Sequence, residues 1–398
     1  MRIVMISDVY FPRVNGVSTS IRTFRRELEG LGHEVLLIAP DYGAQRDAGD
    51  EESWILRVPA RTVYVDPEDR MMSFSAVMAL EQRLRELQPD LIHIQTPFVA
   101  HYAGVRLARR MQIPAVLTYH TYFEEYLDYY IRFVPRSLLR WSVRHLTRRQ
   151  CSQVDSVVVP TRAFNEVLEA YGVRTECYIN PTGVDLSRFT QGDGERFKRR
   201  YGIDPDRPCL LFVGRLVQEK NIGFLLQVVA RVKRRIPDIL FILAGEGPAQ
   251  AQLRDEGRRL GLAHNLCFIG NIQVLQELLD CYCAGDAFVF ASRTETQGLV
   301  LLEAMALGVP VVSTAKMGTR DILSARRGAL VVEEDVAEFA TEVERLLGDK
   351  ALQRRLGREG RRHAAAWSAA AMAMRMEEVY LETVDSAFFF GQPIGCKE

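Results

Sequence analysis

Short runs of Val, Ile and Leu, apolar at nearly every position, recur along this chain, and a helical stretch follows almost every one. A strand that is apolar on both sides must be covered on both sides. That is the condition of a parallel sheet, whose neighbouring strands need long crossovers of the kind helices supply. The first series runs through Arg2 to Ser7, Glu34 to Pro40, Asp90 to Ile94, Ala115 to His120 and Ser156 to Pro160. Helical stretches such as Ser18 to Leu31, Ser75 to Leu87 and Val99 to Met111 lie between them. The alternation predicts a doubly wound α/β domain.

At 398 residues the chain exceeds one ordinary core, and its texture changes where a second domain is due. Between residues 180 and 208 turn formers crowd together, as in Asn180-Pro-Thr-Gly-Val-Asp185 and Gly202-Ile-Asp-Pro-Asp-Arg-Pro208. A second strand series follows, at Cys209 to Gly214, Ile239 to Gly245, Leu266 to Gly270, Ala287 to Ala291 and Val309 to Ser313, with Gly328 to Val332 as a sixth candidate. The expected architecture is two Rossmann-like doubly wound domains, residues 1–187 and 188–367. The helical tail of about 368–398 is placed back on the first.

Composition narrows the function classes. Lys plus Arg and Asp plus Glu are equal at 51 each, which gives no reason to expect nucleic acid. Seven cysteines without a Cys-x-x-Cys fit neither a disulfide framework nor a zinc site. The opening Met1-Arg-Ile-Val-Met-Ile-Ser-Asp8 lacks the long apolar region of a secretion signal, and no run approaches the length of a membrane span. A cytoplasmic protein with at most peripheral membrane contact is expected.

The chemistry centres on Arg293-Thr-Glu-Thr-Gln-Gly-Leu-Val-Leu-Leu-Glu303. Gly298 marks a helix N-terminus ahead of the helix formers from Leu299 to Leu307, and free N-H groups there make an anion site. Glu303 lies about 7 Å further along the axis while Glu295 stays in the loop. Two carboxylates around an anion site suit a ligand with a diphosphate in the middle and hydroxyl-bearing rings at both ends, the layout of a sugar nucleotide. Arg215 and Lys220, in Gly214-Arg-Leu-Val-Gln-Glu-Lys-Asn221, follow the first strand of the second series, where ligands of open α/β sheets bind. Gly245-Glu-Gly247-Pro248 also ends a strand, and its glycines allow a ribose or flat ring to approach the backbone, or simply make a turn. Neither half carries Gly-x-Gly-x-x-Gly after its first strand, and no Walker-type motif occurs. The one Asp-x-Asp, Asp204-Pro-Asp206, reads as a turn, so no essential metal is expected.

Gly-Arg-Leu-x3-Lys-Asn, Gly-x-Gly-Pro and Glu-x7-Glu, in this order, resemble the retaining GT-B glycosyltransferases of family 4. The early Pro12-x2-Asn15-Gly16-Val17 and Gly32-His-Glu-Val35 fit as well, so the likeness runs over nearly the whole chain. The family usually has Phe where this chain has Gln297, and Glu-Thr-Gln-Gly-Leu-Val is similar to the variant in diacylglycerol glucosyltransferases. The resemblance implies two domains facing across a cleft that closes on the donor, with no cofactor beyond the nucleotide sugar. Arg215 and Lys220 would hold the diphosphate, helped by backbone near Gly298 and Leu299 and by Gly16. Glu303 would take the ribose hydroxyls and Glu295 those of the donor sugar. Gln297 would lie beside them, Gly245 and Gly247 along the nucleoside, and His120 against the donor sugar from the first domain. Transfer with retention by same-face attack would rest on positioning and on stabilising the leaving diphosphate.

Between Tyr129 and Gln150 arginines recur every four residues, at 132, 136, 140, 144 and 148, uninterrupted by any acidic residue. A basic helix with Trp141 reads as contact with an anionic membrane surface, or as a solvated face over a core helix. Preceding it, His120-Thr-Tyr-Phe-Glu-Glu-Tyr-Leu-Asp-Tyr-Tyr130 is similar to the diacylglycerol glucosyltransferase pattern. The expectation is transfer of a hexose, most simply glucose from UDP-glucose, to a lipid hydroxyl such as that of diacylglycerol, at the inner face of the cell membrane. The alternatives are GDP-mannose or another donor with a phosphatidylinositol, polyprenyl-linked or soluble sugar acceptor, and a non-catalytic sugar-nucleotide-binding scaffold.

Overall fold

The computed structural model describes residues 1–13, 15–43, 52–63, 70–120, 136–295 and 297–390, with backbone alone at 136, 137, 139, 140 and 388–390. The chain divides into two compact units, residues 1–183 with the segment from Ala369 onward, and residues 184–368.

The first unit holds β1 (Arg2–Ile6), β2 (Glu34–Pro40), β3 (Ile55–Val58), β4 (Ala60–Thr62), β5 (Arg70–Met72), β6 (Leu91–Ile94), β7 (Ala115–Thr118), β8 (Ser156–Val159) and β9 (Glu176–Ile179). Seven of them form one sheet in the order β3-β2-β1-β6-β7-β8-β9, every pair parallel. Strands β4 and β5 make a separate antiparallel pair. The central strands β6, β7 and β8 are buried at every position, as their apolar runs predict. The outer strands β3 and β9 are absent from the sequence reading. At a sheet edge one face is open, so Ile55-Leu-Arg-Val58 alternates in burial and Glu176-Cys-Tyr-Ile179 is half-covered, and neither shows a continuous apolar run.

Helix Gly16–Gly30 starts where the Asn15 side chain accepts the Ser18 N-H at 2.8 Å, and buries Ile21, Phe24 and Leu28 at helical spacing. The C-terminal helix Ala369–Phe390 belongs to this unit. Met372, Ala373, Met376, Val379 and Tyr380 join the core around Ile3, Met5, Leu37, Val116 and Val158. Polar contacts set its register: His33 Nε2 with Glu377 at 2.8 Å, Tyr380 with His93 Nδ1 at 2.6 Å, and Ser156 with Thr383 at 2.8 Å.

The second unit holds β10 (Cys209–Val213), β11 (Leu240–Ala244), β12 (Leu266–Gly270), β13 (Ala287–Phe290), β14 (Val311–Ser313) and β15 (Ala329–Val331). They pair in parallel in the order β12-β11-β10-β13-β14-β15. This is the Rossmann order, whose direction of winding reverses between the first and fourth strands, here β10 and β13. The expected sixth strand is present as β15. The Phe212, Phe288 and Phe290 rings stack at 5.9 to 6.0 Å beneath that reversal. Asp204-Pro-Asp206 is a turn closed by the Asp206 N-H on the Asp204 side chain at 2.9 Å.

His93 is buried between the Tyr380 and Thr118 hydroxyls, each at 2.6 Å. Burial pushes its imidazole from 6.5 down to about 3, with His120 adding in the same direction. Unfolded chain therefore takes up a proton that folded chain refuses. The contribution is whole above pH 6.5 and is lost as pH falls toward 3. Denaturation should show this one group removing roughly 2 to 3 kcal/mol at about pH 4.5, and His93→Gln should flatten that part of the stability profile.

Candidate functional site

Three loops leave the carboxyl ends of β10, β11 and β13 at the reversal point of the second sheet. The first two interlock through their backbones. Gly214 N-H donates to Ala244 O, Leu216 N-H to Glu246 O and Ala249 N-H to Leu216 O, each at 2.9 Å. A Cβ on Gly245, whose φ is +135°, would lie 2.0 Å from Gly214 O, and one on Gly247 would lie 2.3 Å from Leu216 O. Glycine is therefore required at both positions by the neighbouring protein backbone, whether or not a ligand also approaches there.

That packing leaves Arg215 exposed, with no side-chain hydrogen bond or ion pair among the described residues. The chain then makes a short turn, Gln218–Lys220, and Asn221 adopts a left-handed conformation before helix Ile222–Val232. The Lys220 ammonium rests on the Glu295 carboxylate and 5.9 Å from the Phe290 ring centroid. Burial pushes Lys220 from 10.5 down to about 8, Arg215 adds to the fall and Glu219 opposes it. It stays cationic at pH 7.

The loop from β13 is braced against the same turn. Arg293 N-H donates to Glu219 O at 3.3 Å, the Glu334 carboxylate accepts from both Arg293 Nε at 3.0 Å and Asn221 Nδ2 at 3.2 Å, and Gly318 N-H donates to Glu295 O at 2.8 Å. Gln297 is buried, and Gly298, at φ +88°, starts helix Leu299–Ala306 with no side chain capping it. The helix is anchored by Leu301, Leu302, Ala304 and Met305. From it Glu303 accepts the Tyr282 hydroxyl at 2.6 Å. Burial raises the Glu303 pKa, while Tyr282 and Arg188 hold it down.

Nine predicted residues thus gather on one edge of one sheet: Arg215, Lys220, Gly245, Gly247, Glu295, Gln297, Gly298, Leu299 and Glu303. The other two, His120 and Gly16, belong to the first unit. His120 follows β7, its Nε2 lies 2.9 Å from Gln95 Oε1, and burial pushes it from 6.5 down to about 4, so it is neutral at pH 7. Gly16 opens its helix beside empty space. Asp8, at the end of β1, accepts from Thr96 Oγ1 at 2.7 Å and from Ala100 N at 3.1 Å. Burial pushes it from 3.8 up to about 6. Sequence reasoning missed Asp8, Gln95, Tyr282 and Glu334, since each joins the picture only through a partner distant along the chain.

The basic stretch forms helix Arg136–Cys151. Arg132 and the residues 121–130 lie outside the described residues. Val143, Thr147 and Gln150 face inward, with Thr147 on the Tyr119 hydroxyl at 2.9 Å. Leu138 and Trp141 face outward at 53% and 63% exposure, with Leu146, Arg144, Arg148 and Arg149 also exposed. Arg144 lies 5.4 Å over the Tyr171 ring. Exposed Phe98 and Tyr102 lie on the neighbouring segment that Gln150 bonds, through Pro97 O at 2.6 Å. No helix among the described residues is long and apolar enough to cross a membrane.

Residues 193–363 match the model of glycosyl transferases group 1, and residues 14–188 match Glycosyltransferase Family 4. Along 85% of its length the chain is 33% identical to 77% of an alpha-monoglucosyldiacylglycerol synthase of Streptococcus pneumoniae. The chain is a family 4 glycosyltransferase. It is 29% identical to the synthase of the same name from Acholeplasma laidlawii, over 78% of this chain and 80% of that one. It is equally identical to a GDP-mannose-dependent alpha-mannosyltransferase of Mycobacterium tuberculosis, over 85% of each. Two solved structures share the GT-B fold. Sucrose-phosphate synthase of Thermosynechococcus elongatus has TM-score 0.75 at 22% identity, covering 97% of this chain and 99% of that one. Anabaena HepE in complex with UDP has TM-score 0.77 at 16% identity, covering 96% and 100%. The expected fold class, two parallel-sheet Rossmann-like domains, is the one observed.

The two kinds of glycine separate in a simple experiment. Gly247→Ala forces a Cβ onto Leu216 O and should cost about 3 kcal/mol or more, whereas Gly16→Ala has open space and should change stability by under about 0.5 kcal/mol. Thermal melts of the two variants check both.

Proposed function

We propose that this glycosyltransferase moves glucose from UDP-glucose, with retention and without a metal, to the hydroxyl of a membrane lipid of the diacylglycerol type. The observation that carries the reading is the extent of likeness to the Streptococcus pneumoniae synthase, named for a glucosylated diacylglycerol and aligned over both halves of the chain. The relative from Acholeplasma laidlawii bears the same name.

The chemistry of the second sheet's edge supports a diphosphate-bearing donor. Arg215, which pairs with none of the described residues, a cationic Lys220 that a diphosphate would share with Glu295, and an uncapped helix N-terminus at Gly298 and Leu299 lie within one set of loops. In this reading they hold the diphosphate, and Glu303 accepts from the ribose. Glu295, beside Gln297, accepts from the donor sugar, and Gly245 and Gly247 border the nucleoside. As the bond from sugar to phosphate breaks, charge grows on the departing diphosphate, so fixed cations stabilise the transition state more than the bound donor. The acceptor hydroxyl attacks the same face, and a phosphate oxygen takes its proton. His120, in the first unit, is an uncharged imidazole tied to Gln95.

The outward face of helix Arg136–Cys151 supports a lipid acceptor met at the inner membrane surface. Leu138 and Trp141 are apolar anchors, and Arg148 and Arg149 would each add about 1 kcal/mol beside anionic headgroups. A second reading keeps the enzyme and takes GDP-mannose as donor with another glycan or lipid acceptor. It is favoured by the Mycobacterium tuberculosis relative.

Separate incubation with UDP-glucose and GDP-mannose, each with lipid extract, should yield an α-glucosyl lipid from the first alone. Lys220→Ala should lower turnover at least about 100-fold while keeping the thermal transition. Absence of turnover with every nucleotide sugar would sink the enzyme reading. In vesicle flotation the wild type should rise with anionic vesicles, and the triple variant Trp141→Glu, Arg148→Glu, Arg149→Glu should not. Equal flotation of the two removes the helix from membrane contact.

A further inference from the structure

Among the described residues the Glu303 carboxylate is hydrogen-bonded at one oxygen only, with Arg188 adding an electrostatic attraction. Its Oε2 accepts the Tyr282 hydroxyl at 2.6 Å, and its Oε1 has no partner among the described residues although Glu303 is half-buried. Tyr282 comes from a different element, helix Leu275–Ala284, and is fully buried, with its ring 5.9 Å from that of Phe288. A phenol packed in this way has an immobile oxygen, so a short hydrogen bond from it fixes the torsion of the carboxylate it touches. Burial and the neighbouring Glu303 push the Tyr282 hydroxyl well above its ordinary pKa, which keeps it a donor throughout the working pH range. One oxygen is tied down and the other is presented.

We propose that Tyr282 is a positioning residue that gives the nucleotide site its preference for ribose over deoxyribose, by holding Glu303 with its free oxygen turned toward the ribose hydroxyls. This rests on the reading of Glu303 as the ribose ligand. The physical reason is preorganisation: a carboxylate already fixed by a buried phenol loses little torsional freedom when it accepts from the ligand, whereas an untethered one must be ordered at binding. The alternative is that Glu303 merely satisfies a buried tyrosine. In that case the pair matters for folding alone and is blind to the sugar of the nucleotide.

A thermodynamic cycle separates these. Calorimetry would measure binding of UDP and 2′,3′-dideoxy-UDP, and of the corresponding GDP pair, to the full chain and to Tyr282→Phe, which keeps the buried ring. Wild type should prefer the ribonucleotide by about tenfold or more. Tyr282→Phe should lose about five- to tenfold for the ribonucleotide and less than about twofold for the dideoxy analogue. In a Glu303→Ala background, Tyr282→Phe should cause no further ribose-dependent loss, and this pair carries the test if the single variant folds poorly. Equal losses on both ligands, or none on either, overturn the positioning role while leaving Glu303 as ribose ligand. A wild type that does not distinguish ribo from dideoxy refutes the ribose role and the proposal with it. Failure of both UDP and GDP to bind refutes the nucleotide-sugar reading itself.

Discussion

Backbone packed on backbone, at the loops following β10 and β11, is the contact on which the rest of the second unit's edge depends. Gly245 and Gly247 approach Gly214 O and Leu216 O more closely than any side chain allows, and three hydrogen bonds of 2.9 Å join the two loops. With its main chain committed inward, Arg215 has its side chain outward. The following turn delivers Lys220 beside Phe290 and Glu295, and the loop from β13 is stitched to that turn through Glu219 O and Glu334. Loops held by such contacts present charge without reorganising, which is where electrostatic catalysis draws its strength.

The charges so placed are unequal. Arg293 is neutralised by Glu334 and Lys220 rests on Glu295, while Arg215 stands unpaired among the described residues. At the carboxyl ends of the first sheet burial instead works against the charged form of the groups it covers. His120 and His93 are held deprotonated at pH 7, and Asp8 is raised toward neutrality while capping the helix Val99–Met111. On the second unit's edge Arg215 is thus a cation left uncommitted among the described residues, beside lysine and arginine side chains already held by carboxylates.

How far the architecture was legible depended on burial. Central strands such as Ile92-His-Ile94 and Phe241-Ile-Leu243 announce themselves because both faces are covered and nearly every position is apolar. Edge strands β3 and β9 do not, since an open face permits Arg57 and Glu176. Among site residues, those carried by local spacing were legible: Arg215 and Lys220 after one strand, Glu295, Gly298 and Glu303 after another. Their partners were not. Tyr282 lies 21 residues before Glu303 and Glu334 lies 41 after Arg293, distances at which no periodicity operates. The arginine row was half-informative. A spacing of four drifts around a helix of 3.6 residues per turn, and on helix Arg136–Cys151 the apolar Trp141 and Leu138 stand exposed along with Arg144, Arg148 and Arg149.

The letters alone determined that this chain forms two parallel α/β sheets, where their central strands lie, and which polar residues follow strand ends, because burial of a strand is written in consecutive residues. Tertiary structure decided what each of those residues touches. Gly245 and Gly247 read as room for a ligand or as a simple turn, and the neighbouring backbone requires them. Glu295 and Glu303 looked like a matched pair and differ in partner, a lysine for one and a buried tyrosine for the other. Contacts of that kind join segments far apart in the chain, and only the winding order of the sheet brings them within hydrogen-bond reach.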